Sequence, residues 1–292
     1  MQLGFIGLGT MGRPMALRLM NGGHAMSVYA RRAEAALPLV DHGATACPTP
    51  AAVAERSDVV FTMVTGTSDV ETVVLGADGV VYGADEGTLV IDMSTIDPLA
   101  TQAMARALSE RGVEMLDAPV SGGPQGAVDA ALTIMVGGTT TALERARPLF
   151  ALLGPTVVHM GESGAGQTTK ACHQLALLVT AQGTAEALTL AGRCGLDVER
   201  VRQVMMAGAA SRVLDLFGKR MASRDFSAGI ESRLYHKDLD IALGLAHDRG
   251  VALPAAALTM QFVNALVGSG RGRDDLSALI TLVDKLGSAP SD

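Results

Sequence analysis

The chain reads as two domains of different class: an α/β N-terminal domain built on a doubly wound sheet, and an all-α C-terminal domain. Three observations point there. Short apolar runs alternate with amphipathic helical stretches up to about residue 160, the pattern of a parallel sheet with crossover helices. Beyond Gly164 the strand signals stop and only helical periodicity continues. A glycine triplet, Gly7, Gly9 and Gly12, follows the first apolar run and opens the first helical stretch. The expected domains are residues 1–162 and 163–292, with the boundary in the glycine-rich segment Gly161–Gly166.

In order, the predicted strands are Leu3–Ile6, Met26–Tyr29, Val59–Met63, Thr88–Asp92, Glu114–Asp117, Leu132–Val136 and Thr156–His159. Each is a run of four or five mostly apolar residues, short enough for a strand buried on both faces. Helices are predicted over Met11–Met20, Leu99–Arg111 and Leu143–Leu153, where apolar residues recur every three or four positions. One long helix is expected from Gln167 to Arg193. Four or five more follow, broken near Gly195, Gly208–Ser211, Gly229, Pro254 and Gly268–Arg273. The long helix is apolar around most of its circumference, through Leu175, Leu177, Leu178, Val179, Leu188 and Leu190. A helix apolar on all sides must be covered on all sides. Either a second copy of the chain covers it, in a homodimer or homotetramer, or it is the central helix of a large bundle.

Composition narrows the function classes. The 292 residues are 48% hydrophobic, enough to bury two ordinary cores. A net charge of −7 disfavours nucleic acid and anionic membrane surfaces as partners. No apolar run reaches the length of a membrane span, and the first strand starts at once, leaving no room for a signal peptide. Cys47, Cys172 and Cys194 are three widely spaced cysteines without a C-x-x-C pair, as suits free thiols in a reducing cytoplasm. The six histidines show no metal-ligand spacing, so no metal site is expected.

The segment Gly7-Leu8-Gly9-Thr10-Met11-Gly12, between strand and helix, is the setting of a dinucleotide-binding turn in a Rossmann-type domain. Gly7 permits a tight turn, Gly9 lets a pyrophosphate approach the backbone, and Gly12 lets helix and strand pack closely. The helix N-terminus then offers unpaired N–H groups and the positive end of its dipole. At the tip of the second strand, where an NAD enzyme carries an acid for the ribose 2′-hydroxyl, this chain has Ala30-Arg31-Arg32. A small residue followed by cations leaves room and charge for a 2′-phosphate, which favours NADP while NAD stays possible.

Further chemistry lies in four segments: Asp92-Met93-Ser94-Thr95, Asp117-Ala-Pro-Val-Ser121-Gly122-Gly123, Gly164-Ala-Gly-Gln-Thr-Thr-Lys170-Ala-Cys-His173-Gln174, and His236-Lys237-Asp-Leu-Asp240. Ser121-Gly122-Gly123 follows a strand, and its hydroxyl and accessible N–H groups suit a substrate carboxylate. Lys170 sits near the start of a mostly apolar helix, where an ammonium is costly to bury without a role. Gln174 lies one turn later on the same face, with His173 beside it.

Together with the glycine turn, the order and spacing of these segments resemble the β-hydroxyacid dehydrogenase family, of the 3-hydroxyisobutyrate dehydrogenase and tartronate semialdehyde reductase type, along essentially the whole chain. The resemblance implies reversible hydride transfer between a nicotinamide and a small 3-hydroxy acid or semialdehyde acid. It makes Lys170 the catalytic acid/base, and has Ser121, Gly122, Gly123, His173 and Gln174 hold the substrate. It places the cofactor on Gly7 to Gly12, Ala30 to Arg32, Val64, Thr65, Thr95, Lys237 and Asp240. Two departures stand out. Many relatives carry Asn-Asn where this chain has His173-Gln174, and an apolar-Pro pair where it has Val64-Thr65. Two rival readings are an imine reductase, which needs neither the carboxylate cradle nor this lysine, and a non-catalytic NADP-binding module.

Overall fold

In the computed structural model, residues 1–207, 213–227 and 229–286 are described. The break expected at Gly208–Ser211 lies outside them. The chain divides into two compact units, Met1–Lys170 and Ala171–Asp292.

Nine strands form one sheet in the first unit. They are β1 (Gln2–Ile6), β2 (Ala25–Tyr29), β3 (Thr45–Ala46), β4 (Val59–Thr62), β5 (Leu89–Asp92), β6 (Glu114–Asp117), β7 (Val120–Ser121), β8 (Thr133–Gly137) and β9 (Thr156–Gly161). Their order is β3-β2-β1-β4-β5-β6-β8-β7, with β9 also paired to β8. Strands β1 to β6 are parallel, and the order reverses direction between β1 and β4, the switch point of a doubly wound fold. The expected parallel sheet needs one correction: β8 runs antiparallel to both β6 and β7. A parallel return needs a full crossover, whereas the segment from Pro119 to Leu132 supplies only β7 and a six-residue helix.

Alternation sets the two faces of β1. Leu3 and Phe5 join a core with Met15, Leu19, Phe61 and Phe150, where the Phe5 and Phe61 rings stack at 5.9 Å. Ile6 joins a second core with Val60, Val90, Met104 and Leu108 on the opposite face. Helices α1 (Gly12–Asn21), α2 (Thr67–Leu75), α3 (Pro98–Ser109), α4 (Gly123–Val128) and α5 (Thr140–Phe150) connect the strands. Pro98 occupies the first turn of α3, and the Asp97 carboxylate accepts from the amides of Leu99 and Ala100, so this start is fixed locally.

The ends of β4 and β5 are tied by a buried carboxylate. Asp92 Oδ1 accepts from Thr62 Oγ1 at 2.7 Å and from Ser94 N at 3.2 Å, while Ser94 Oγ accepts from Val64 N at 3.0 Å. Asp92 is fully buried, and burial pushes its carboxyl up to about 6 against the opposing pull of the Thr62 and Ser94 donors.

Helix α6 (Ala165–Arg193) starts in the first unit and continues into the second. By length and composition it is apolar enough to cross a membrane, which corrects the expectation of no such segment. Lys170, Gln174 and Gln182 break up the apolar residues of this helix, yet its many Ala, Leu and Val residues raise the average. Within the second unit, Leu178, Ala181, Ala185 and Leu188 form one buried stripe. They pack with residues of α8 (Ser232–Asp248) and α9 (Pro254–Leu266), which follow α7 (Val198–Ala207). Leu190, off that stripe, is 65% exposed, so the described residues do not enclose α6 on all sides.

Two stability predictions follow from these contacts. A Cβ on Gly12 meets the Gly7 carbonyl oxygen at 1.9 Å, so Gly12→Ala is expected to lower unfolding stability by about 1–3 kcal/mol or more, whereas Gly9→Ala, whose Cβ meets no protein atom within 4 Å, stays within about 0.5 kcal/mol. Urea titration of both variants checks the contrast; equal losses would refute it. The Asp92 carboxyl, raised from 3.8 to about 6, favours the folded state fully below its unfolded pKa and loses that contribution as pH rises through about 6, a loss of about 3 kcal/mol. Asp92→Asn is therefore expected to flatten the stability curve between about pH 4 and 6, relative to wild type. Parallel curves for the two proteins would contradict it.

Candidate active site

Most of the first-unit residues singled out above lie past the C-terminal ends of strands, where open α/β sheets receive ligands, while Ser121 closes β7 and Lys170 stands on α6. Gly7–Gly12 follows β1, Ala30–Arg32 follows β2, Val64–Thr65 follows β4, Thr95 follows β5, and Ser121–Gly123 lies beyond β6.

The three glycines of the first turn have separate physical reasons. Gly7 has φ +98° and donates its N–H to Tyr29 O, and a Cβ there meets Met63 O at 2.3 Å. Gly12 is excluded from side chains by the Gly7 carbonyl. Gly9 is constrained by nothing in the protein: its Cβ would enter open space. A glycine required at neither a strained φ nor a packed contact fits a backbone that a ligand approaches closely. Leu8 is buried and anchors this turn, while Thr10 is exposed and Met11 half-buried at the start of α1.

Next to it a cavity of about 260 Å³ opens beyond β2, lined by Tyr29, Ala30, Arg31, Ala46 and Cys47 among others. Arg31 and Arg32 are exposed at its side, and Arg31 Nη1 lies 3.8 Å from Asp69 Oδ1 at the first turn of α2. The cavity and the open face at Gly9 leave room for a dinucleotide. Val64 is held by Ser94 as described, Thr65 is exposed and Thr95 half-buried, on neighbouring strand ends.

The start of α6 is bolted to the sheet by an acid that sequence reasoning left without a role. Asp117, at the end of β6, accepts from Gly164 N through Oδ1 and from Gln167 N through Oδ2, each at 2.8 Å. A carboxylate thus meets the exposed amides and positive dipole end of the longest helix. Burial raises the Asp117 carboxyl above the usual range, and these amides pull it back. Gly166 permits the approach, since a Cβ there meets Met135 O at 2.4 Å. Gln167, also without an assigned role, completes the joint: its Oε1 accepts from Ile96 N at 3.1 Å and its Nε2 donates to Ser94 O at 2.8 Å. Three residues further along this pinned helix stands Lys170, only 6% exposed. Ser121 is half-buried in β7, and Gly122 and Gly123 follow with φ +134° and +64°, a backbone that side-chain-bearing residues rarely adopt.

In the second unit, Gln174 is buried and donates through Nε2 to Asp238 Oδ2. Asp238 Oδ1 lies 3.0 Å from Lys237 Nζ. His173 Nδ1 lies 3.2 Å from Gln174 Oε1. Asp240, the acid singled out in the sequence, is exposed and stands 3.2 Å from His236 Nδ1 instead. The buried acid of this segment is Asp238, which sequence reasoning passed over. Helical phase held the signal: Tyr235, Asp238, Leu239, Ala242 and Ala246 are the buried stripe of α8. Asp92 and Asp117 had a signal too, as acids closing two neighbouring apolar strands.

Comparison with known proteins agrees with this arrangement. Residues 2–161 match the profile of the NAD-binding domain of 6-phosphogluconate dehydrogenase, and residues 164–283 match that described as NAD-binding of NADP-dependent 3-hydroxyisobutyrate dehydrogenase. A 2-hydroxy-3-oxopropionate reductase from Escherichia coli (strain K12) is 40% identical over 285 residues, covering 97% of each chain. A solved 3-hydroxyisobutyrate dehydrogenase from Salmonella typhimurium superposes with a TM-score of 0.88 at 28% identity, over 96% of this chain and 99% of its own. An imine reductase from Pseudomonas sp. gives a TM-score of 0.63 at 17% identity, over 96% and 98%, a likeness of fold alone. With two family profiles spanning the strand-end glycine turn and the lysine-bearing helix, the chain belongs to the β-hydroxyacid dehydrogenase family of NAD(P)-dependent oxidoreductases.

Proposed function

We propose that this enzyme interconverts a small 3-hydroxy acid and its semialdehyde acid, with tartronate semialdehyde and glycerate ranked first and methylmalonate semialdehyde and 3-hydroxyisobutyrate second. The observation that carries the reading is Lys170, a nearly buried ammonium on a helix whose first turn is fixed by Asp117 and Gln167. A bound nicotinamide supplies or accepts the hydride at the substrate carbon. Lys170 gives a proton to the carbonyl oxygen during reduction and, as a neutral amine, takes it from the hydroxyl during oxidation. Ser121 Oγ and the backbone of Gly122 and Gly123 receive the substrate carboxylate, and Gln174, with His173 beside it, orients the reacting oxygen.

NADP is the proposed cofactor. Arg31 and Arg32 are exposed at the β2 tip, and among the described residues Arg31 has a long, exposed pairing with Asp69 to give up to a 2′-phosphate. Gly7 to Gly12, Val64, Thr65, Thr95 and Lys237 belong to the same proposed cofactor set. Asp240 is the weakest member, because it is exposed and turned to His236. Self-association belongs to the proposal as well, supported by the exposed Leu190 and the exposed Ala176, Thr180 and Gly183 of α6. Three free cysteines accord with a cytoplasmic enzyme.

Lys170→Ala is expected to lower turnover by about 10²–10⁴-fold while NADPH binding, followed by fluorescence titration, stays near wild type. Near-normal turnover would remove Lys170 from the chemistry. Replacing Arg31 and Arg32 with alanine is expected to reduce kcat/KM for NADPH about ten-fold and leave the NADH value unchanged. Equal losses with both cofactors would reassign the pair to a structural role.

A further inference from the structure

We infer that Asp69 is a specificity-determining residue: by holding Arg31 across the end of β1, it competes with a cofactor 2′-phosphate for that guanidinium and keeps the preference for NADP over NAD shallow. The inference rests on the NADP reading above and adds to it the residue that limits the preference.

The whole arrangement lies within the first unit. Strands β2 and β4 flank β1 on its two sides. Arg31 follows β2, and Asp69 belongs to α2, which follows β4. Their contact, 3.8 Å from Nη1 to Oδ1, therefore bridges the strand end from which the glycine turn springs. Arg31 also lines the cavity of about 260 Å³ beyond β2.

The two partners are unequally held. Asp69 stands in the first turn of α2, where the positive end of the helix dipole favours a carboxylate whatever faces it. That turn is itself tied to the loop after β5, since Thr67 Oγ1 accepts from Asp97 N at 3.1 Å. The Arg31 side chain is 89% exposed against 41% for Asp69. The acid is thus the fixed partner and the guanidinium the movable one. A long pair in such exposed surroundings is weak, so it does not keep Arg31 from a phosphate; it subtracts from what the phosphate gains.

That subtraction falls on one cofactor alone. A 2′-phosphate recruits the guanidinium and must take it from Asp69, whereas an uncharged 2′-hydroxyl makes no such demand. The carboxylate, which stays in place, adds a smaller direct repulsion toward the same phosphate. Arg31 consequently sets the direction of the preference, and Asp69 sets its size.

The test measures dissociation constants of NADPH and NADH by fluorescence titration, and of adenosine 2′,5′-bisphosphate and AMP by calorimetry. The proteins are the wild type, Asp69→Asn and Asp69→Glu, with Asp69→Asn repeated in an Arg31→Ala background. Asp69→Asn is expected to tighten NADPH and the bisphosphate about five-fold and to leave NADH and AMP unchanged. Asp69→Glu keeps the charge, and its NADPH to NADH ratio should stay near wild type. Most of the gain should vanish once Arg31 is alanine, and it should shrink in about 1 M salt, where the Debye length is about 3 Å. A merely structural role for Asp69 shifts both cofactors together. An unchanged NADPH to NADH ratio in Asp69→Asn, or a gain of the same size without Arg31, overturns the inference alone. Tighter binding of NADH than of NADPH by the wild type and Asp69→Asn alike overturns the NADP reading, and with it the part given to Asp69.

Discussion

The joint between Asp117 and the first turn of α6 is the constraint on which the arrangement of the first unit depends. Two amides that a helix cannot satisfy by itself are met by one carboxylate from the end of a buried strand. The carboxylate, in turn, is kept in the interior by those same amides. Neither partner is stable there alone: an uncapped helix start and an unpaired buried acid are each unfavourable. Gln167 adds two bonds to the loop after β5, so the helix start is held by two adjacent strand ends instead of one. Less than a turn beyond Gln167, Lys170 inherits that rigidity.

Both units use the same device, a buried acid whose oxygens are divided between two partners. Asp117 divides them between two backbone amides, and Asp238 between an ammonium and a side-chain amide. Asp92 differs, since its Oδ1 receives both a hydroxyl and an amide while Gln167 Nε2 stands 3.5 Å from Oδ2. Its carboxyl is accordingly the less well compensated, and burial dominates its protonation.

Much of the fold was legible in the chain. All seven predicted strands are present with ends shifted by no more than two residues, because a strand covered on both faces must be an apolar run. Two further strands, Thr45–Ala46 and Val120–Ser121, are too short for any periodicity to register. The reversed direction of β8 was also invisible, since a buried run such as Thr133–Gly137 looks alike whichever way it points. At the site, the glycine turn and the lysine motif were readable as local patterns. Asp117 and Gln167 were not, because their partners lie about fifty and seventy residues away and only the folded sheet brings them together. Asp238 was lost between two acids in Lys237-Asp238-Leu239-Asp240, where spacing from Lys237 pointed to one and helical phase to the other.

The open space at Gly9 separates the history of the fold from the history of its ligand. Gly7 and Gly12 are held to glycine by neighbouring backbone atoms, whatever the chain binds. Among the described residues nothing makes such a demand at position 9, where a Cβ would enter open space. A descendant that had abandoned its cofactor but still folded would be free to drift at residue 9 while remaining frozen at 7 and 12. Among relatives, side chains appearing at that single position would mark where the ancient ligand was given up.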